Sequence, residues 1–212
     1  MSHQTEQLAA LLAHGRVIPV ITIDRLEDAV PLARALVEGG VRLLEITLRT
    51  AHGLAGAEAI MRAVPDAIVG IGTVLTPQDL ARAVSAGARF ALSPGATPEL
   101  LDAAAEAPVP FLPGIATASE LMEGMQRGFT VAKFFPASTA GGIPGLRALA
   151  GPFPAVRFCP TGGISASNAS EWLAEPNVVA VGGSWLTPAV DVAASRWDEI
   201  RERASQTLAP PV

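Results

Sequence analysis

Ala67-Ile-Val-Gly-Ile-Gly-Thr-Val-Leu-Thr-Pro-Gln-Asp-Leu-Ala-Arg-Ala-Val-Ser-Ala-Gly-Ala-Arg-Phe-Ala-Leu-Ser93 contains a complete structural unit. Ala67–Gly72 is a short apolar run of strand length. Thr76 then offers its hydroxyl as a helix N-cap, and Pro77 suits the first helical position. The helical pattern runs to Ala86, and Gly87 supplies the C-terminal stop. A second apolar run follows at Ala88–Ser93. Strand, capped helix and strand in this order predict a βαβ unit with parallel strands.

The same rhythm extends in both directions. Apolar runs occupy Val17–Ile23, Val41–Leu48, Ala67–Gly72, Ala88–Ser93, Pro108–Pro113, Thr130–Phe135, Val156–Thr161 and Val178–Gly182, and their starts lie 20 to 26 residues apart. Helices are predicted from Thr97-Pro98-Glu99, from Thr117-Ala-Ser119-Glu120 to near Gly128, over Ser165–Ala174 and over Ala193–Leu208. Asp24-Arg-Leu-Glu27 reads as a capping box for a helix ending at Glu38-Gly39-Gly40. His3–Ala13 predicts an extra helix before the first strand, Ser138–Gly145 a loop, and Ala209–Val212 a frayed tail. Eight evenly spaced parallel strands, with no Gly-x-Gly-x-x-Gly after the first, favour a (β/α)8 barrel over a doubly wound sheet. The 212 residues suit one domain over 1–212, and no stretch reads as a linker.

Composition excludes several classes of function. Half the residues are hydrophobic and 17% are charged, which rules out a disordered chain. No apolar run reaches the ~18 residues of a membrane span. Met1–His14 lacks the basic flank and apolar segment of a signal peptide, so a cytoplasmic location is expected. The net charge of −5 without a basic run argues against nucleic acid as the main partner. Cys159 is the single cysteine, and His52 has no carboxylate or second histidine at ligand spacing, so neither a disulfide nor a metal site is expected.

The 15 basic residues are 14 arginines and one lysine. That lysine, Lys133, stands inside the apolar run Thr130-Val-Ala-Lys-Phe-Phe-Pro136. An amine among apolar side chains is either paired with a buried carboxylate or held neutral by desolvation. A neutral amine is a nucleophile that can form a Schiff base with a carbonyl substrate. Glu45, in Val41-Arg-Leu-Leu-Glu-Ile-Thr-Leu-Arg49, is the candidate partner, either as structural counter-ion or as general acid and base. Catalytic groups of such barrels lie at the C-terminal ends of the strands. Arg49 and Thr73 stand at two of those ends and suit a substrate carboxylate, and Ser93-Pro94-Gly95 marks a third. Gly162-Gly163 and Gly182-Gly183-Ser184 follow the seventh and eighth runs, where backbone N–H groups often cradle phosphate. Tight turns use glycine pairs as well.

The residues now form a recognisable set. Leu44-Glu-Ile-Thr-Leu-Arg49, Gly70-Ile-Gly-Thr-Val74, Ser93-Pro-Gly95, Leu112-Pro-Gly114, Val131-Ala-Lys-Phe-Phe-Pro136, Pro160-Thr-Gly-Gly-Ile164 and Val181-Gly-Gly-Ser184 resemble the 2-keto-3-deoxy-6-phosphogluconate (KDPG) aldolase family. That family also acts on 4-hydroxy-2-oxoglutarate, and the resemblance covers roughly Leu8 to Val190. It implies a homotrimer of (β/α)8 subunits and a class I mechanism that needs no metal or other cofactor. Lys133 would be the Schiff-base residue and Glu45 the acid/base. Arg49, Thr73, Pro94 and Phe135 would surround the pyruvate part, with Thr161 beside the substrate chain. Gly162, Gly163, Gly183 and Ser184 would lie near the phosphate. The implied reaction gives pyruvate and glyceraldehyde 3-phosphate, the last step of the Entner–Doudoroff route. Three rivals stand beside it: the sister aldolase for the galactonate isomer, an isomerase or epimerase on the same barrel, and a non-catalytic phospho-metabolite-binding barrel.

Overall fold

The computed structural model describes residues 3–207. The expected tail Ala209–Val212, and Leu208 at the end of the last predicted helix, lie outside the described residues. Helix α1 (His3–Leu12) precedes strand β1 (Val17–Ile21). The chain then alternates through α2 (Ala29–Glu38), β2 (Leu43–Thr47), α3 (Gly53–Ala63), β3 (Ile68–Gly72), α4 (Pro77–Ser85), β4 (Phe90–Leu92) and α5 (Pro98–Ala105). It continues through β5 (Phe111–Leu112), β6 (Gly114–Ile115), α6 (Ala118–Gln126), β7 (Val131–Phe134), α7 (Gly142–Ala150) and β8 (Arg157–Pro160). The last elements are α8 (Ala169–Leu173), β9 (Val181–Gly183), α9 (Ala189–Ala193) and α10 (Trp197–Thr207).

The architecture is α/β, and all recorded strand pairs are parallel. Six strands pair in the order β5-β4-β3-β2-β1-β9, and three in the order β6-β7-β8. Isolated parallel bridges Phe158↔Val178 and Thr161↔Gly182 tie the second sheet to the β9 side of the first. The expected fifth strand, Pro108–Pro113, divides at its final proline. Leu112 accepts from the Ser93 N–H on one side, and the Pro113 carbonyl accepts from the Lys133 N–H on the other, at 2.9 Å. Pro113 has no N–H of its own to continue a ladder, so the chain changes partner there.

Two apolar clusters hold these layers. Ile18, Leu43, Phe90, Leu92, Leu112, Cys159 and Ala180 form an interior cluster, joined by Leu8 and Leu11 from α1. The larger cluster lies between strands and helices and includes Leu36, Ile46, Ile60, Ile71, Phe134 and Phe158. Full burial of such side chains contributes about 1.5–3 kcal/mol each.

The start signals of α4, α5 and α6 hold. Thr76 and Asp79 form a reciprocal capping box, as do Thr117 and Glu120, and Thr97 caps α5 with Pro98 at the start. Elsewhere tertiary contacts override local pattern. The Asp24–Glu27 capping box does not form, and α2 begins only at Ala29 after a 3₁₀ turn at Leu26–Asp28. Arg25 clamps the Asp28 carboxylate with two 2.8 Å hydrogen bonds, so that acid is not available as a cap. Helix α7 begins at Gly142, inside the stretch expected to be a loop. The helix expected over Ala193–Leu208 forms as α10 but starts later, at Trp197, because α9 ends at Ala193 and the chain breaks at Ser195, whose φ is +53°. Asp191 fixes the break by accepting from Arg196 at 3.1 Å and Arg203 at 2.8 Å. Helix α8 is shorter than Ser165–Ala174, because Asn168 turns the preceding loop by accepting from the Ser165 N–H and donating to the Gly163 carbonyl.

Candidate active site

Strand alternation places Glu45 and Lys133 on the inward side of β2 and β7. Lys133 Nζ donates to Glu45 Oε1 at 2.9 Å, joining residues 88 apart in sequence. Both side chains are almost fully enclosed, at 4% exposure for the lysine and 1% for the glutamate. Glu45 Oε2 is also buried and has no hydrogen-bond partner. One oxygen of the carboxylate therefore holds the amine, and the other is left to meet a donor that enters the site. Lys133 Nζ also lies 5.5 Å from the centre of the Phe135 ring. Lys133 stands in register with Gly114 on one side and Cys159 on the other. Burial pushes the Cys159 thiol up to about 12, so it remains a neutral packed group.

The remaining candidates stand around the strand ends. Arg49, two residues past β2, is exposed and has no hydrogen-bond or ion-pair partner among the described residues. Thr73 follows β3 directly, is half-buried and has a φ of +60°. A β-branched residue rarely takes that conformation, so its place at the strand end is enforced by its surroundings. Leu48 N–H donates to the Gly72 carbonyl and Val74 N–H to the Leu92 carbonyl, which fix the chain on both sides. Pro94 and Phe135 are half-buried beyond β4 and β7. Thr161 is enclosed, and its hydroxyl approaches the Cys159 carbonyl at 3.4 Å. Its side chain fills the space left by the missing side chain of Gly182.

The glycine pairs divide into two roles. Gly162 and Gly163 have φ of +97° and +77°, so this turn needs glycine on conformational grounds. The side of Gly163 from which a side chain would project is occupied by Ser138. Ala137 and Ser138 donate to the carbonyls of Thr161 and Gly162, at 2.8 and 3.0 Å, lacing the two loops together. Gly183 belongs to β9, in register with Pro19. Among the described residues, no backbone carbonyl accepts from the N–H groups of Gly163, Ile164 or Ser184. These three donors, from the two loops, are the groups an anion could engage.

Lys133, Glu45 and Arg49 received roles from the sequence, whereas Ile164 and Ser93 stood within quoted motifs and received none. Ser93 is fully enclosed, and its hydroxyl accepts from the Gly114 N–H at 3.1 Å, bridging the seam beside Lys133. A lone serine closing an apolar run is the signal it left. Among the described residues there is no group of three or more His, Cys, Asp or Glu placed to hold a metal. Nor is any helix among them long and apolar enough to cross a membrane.

The chain is similar to known proteins over most of its length. The KHG/KDPG aldolase of Escherichia coli K12 is 53% identical over 199 residues, covering 94% of this chain and 93% of that protein. A crystal structure of KDPG aldolase from Legionella pneumophila, with pyruvate captured as a covalent carbinolamine intermediate, is 49% identical with a TM-score of 0.92. The match covers 94% and 97% of the two chains. The Zymomonas mobilis ZM4 enzyme, solved with 3-phosphoglycerate, is 42% identical with a TM-score of 0.86, over 93% and 94%. The family profile described as KDPG and KHG aldolase matches residues 8–203, which takes in Glu45, Lys133 and both glycine loops. The chain therefore belongs to the KDPG and KHG aldolase family.

Proposed function

We propose that this chain is a class I aldolase that cleaves 2-dehydro-3-deoxy-6-phosphogluconate to pyruvate and glyceraldehyde 3-phosphate, and 4-hydroxy-2-oxoglutarate to pyruvate and glyoxylate. The observation that carries it is the enclosed 2.9 Å pair between the only lysine and Glu45, whose second oxygen is unpartnered. The carbinolamine of pyruvate in the Legionella pneumophila relative supports the same chemistry.

Lys133 Nζ passes a proton to Glu45 and attacks carbon 2 of the substrate. Glu45 returns the proton to the carbinolamine hydroxyl, which leaves as water, and an iminium remains. The iminium draws electrons from carbon 3. Glu45 accepts the carbon 4 hydroxyl proton, the bond between carbons 3 and 4 breaks, and the aldehyde departs. The enamine takes a proton at carbon 3, and hydrolysis frees pyruvate and the amine. Arg49 and Thr73 hold the substrate carboxylate, with Pro94, Phe135 and Thr161 along the chain. The loops of Gly162 and Gly163 and of Gly183 and Ser184 receive the phosphate. We read residues 1–212 as one domain, with the two sheets closing as a (β/α)8 barrel plugged by α1. The reach of Glu45 from β2 to Lys133 on β7 supports that closure. The proposed assembly is a homotrimer acting in the cytoplasm. Exposed apolar side chains such as Leu75, Met122 and Val190 give such an assembly surface to cover.

The test measures pyruvate release from the gluconate substrate, its galactonate isomer and 4-hydroxy-2-oxoglutarate, for the parent and for Gly163→Val. The parent turns over the gluconate substrate in preference to the galactonate isomer. Valine at residue 163 strains the turn and collides with Ser138, which displaces the free N–H groups. The variant therefore loses at least about tenfold more kcat/KM on the phosphorylated substrate than on 4-hydroxy-2-oxoglutarate, one charged contact being worth about 1.5–3 kcal/mol. Equal losses on both substrates in a folded variant would place the phosphate elsewhere. A parent that binds the sugar acid without releasing pyruvate would be a sensor rather than an enzyme.

A further inference from the structure

Strand β3 contributes no side chain at its inward positions Gly70 and Gly72. The two vacancies are filled from neighbouring strands. The space at Gly70 is taken by the Phe90 ring of β4. The space at Gly72 is taken by the Glu45 side chain of β2: a Cβ on Gly72 would lie 2.6 Å from Glu45 Cγ and 2.7 Å from Cδ, and against Oε1 as well. Oε1 is the oxygen that accepts from Lys133 Nζ. The Glu45 side chain therefore occupies the volume that the side chain of any other residue at 72 would take.

The geometry assigns Gly72 as a positioning residue for the aldol reaction: its missing side chain is the slot that directs the Glu45 carboxylate onto Lys133. Two features make the slot stringent. The clash involves the stem atoms Cγ and Cδ as well as the flexible tip, so a small rotation of the carboxylate does not relieve it. Glu45 is also enclosed, at 1% exposure, and cannot swing into solvent. Strand β3 is in turn held on both flanks, with Gly72 in register with Thr47 and Gly70 with Phe90, so the backbone has little room to retreat. A methyl group at 72 must lift the carboxylate from the amine, lengthening the path of every proton transfer that Glu45 serves. The adjoining Thr73, held at positive φ, shares the same backbone, so slot and carboxylate-binding threonine are set by one strand end.

The inference rests on the acid–base reading of Glu45, and its test separates the two. Gly72→Ala lowers kcat by about 100-fold, the general scale for an acid–base group, with KM within about threefold. Circular dichroism and thermal melts accompany each variant. Glu45→Ala removes the stem and carboxyl atoms that clash, so Gly72→Ala in that background changes Tm by no more than about 2 °C, against a larger drop in the parent. This cycle reads the contact even if Gly72→Ala alone does not fold, and it is independent of any catalytic role of Glu45. Two results would overturn the assignment: a folded Gly72→Ala with near-parental kcat, or an equal Tm loss in both backgrounds.

Discussion

Lys133→Met abolishes turnover, by at least about 10⁴-fold, and also destabilises the fold by about 3–5 kcal/mol. The two effects have separate causes. Activity falls because no other lysine exists to form the iminium, and arginine, the other basic side chain here, is not a nucleophile at neutral pH. Stability falls because methionine leaves the Glu45 carboxylate enclosed without the amine that now donates to it. A second substitution distinguishes them. Lys133→Met/Glu45→Gln removes the orphaned charge and regains much of the stability while restoring none of the activity. Denaturant midpoints and pyruvate release, measured on the same preparations, check both. A single variant as stable as the parent would show that the pair is not buried as described.

Glu45→Gln lowers kcat by about 100-fold or more while KM changes little. The amide has nearly the size of the carboxylate and still fills the slot at Gly72, so shape is preserved. It cannot take a proton from Lys133 Nζ, return one to the carbinolamine hydroxyl, or accept one at the position of Oε2. Each step then depends on water in an enclosed site. Burst and steady-state measurements of pyruvate formation check this, and near-parental turnover in a folded variant would reduce Glu45 to a counter-ion.

Both residues were legible in the sequence because each is a charge inside an apolar run of strand period, where a solvated side chain has no place. The caps of α4, α5 and α6 were legible because Thr, Pro and acidic residues act within one turn. What stayed hidden depends on distant partners. Asp28 could have capped a helix, but Arg25 engages it instead. Pro113 sits in a run that reads as one strand, and only the Lys133 N–H reaching its carbonyl reveals the change of sheet. Thr73 carries no local sign of a left-handed conformation, since β-branched residues avoid it. A glycine inside a strand signals close approach by something, but nothing near Gly72 names Glu45, 27 residues earlier, as the group that fills the gap.

Borohydride trapping reads whether Lys133 bonds covalently to the substrate ketone carbon. The protein is incubated with pyruvate, reduced with borohydride, digested and mapped by mass spectrometry. The single lysine makes the assignment unambiguous, because the only other amine is the chain terminus. One reduced pyruvate per chain is expected, on the peptide containing Val131-Ala-Lys-Phe-Phe-Pro136, with turnover lost in proportion to labelling. No adduct, or label confined to the N-terminal amine while activity persists, would contradict it.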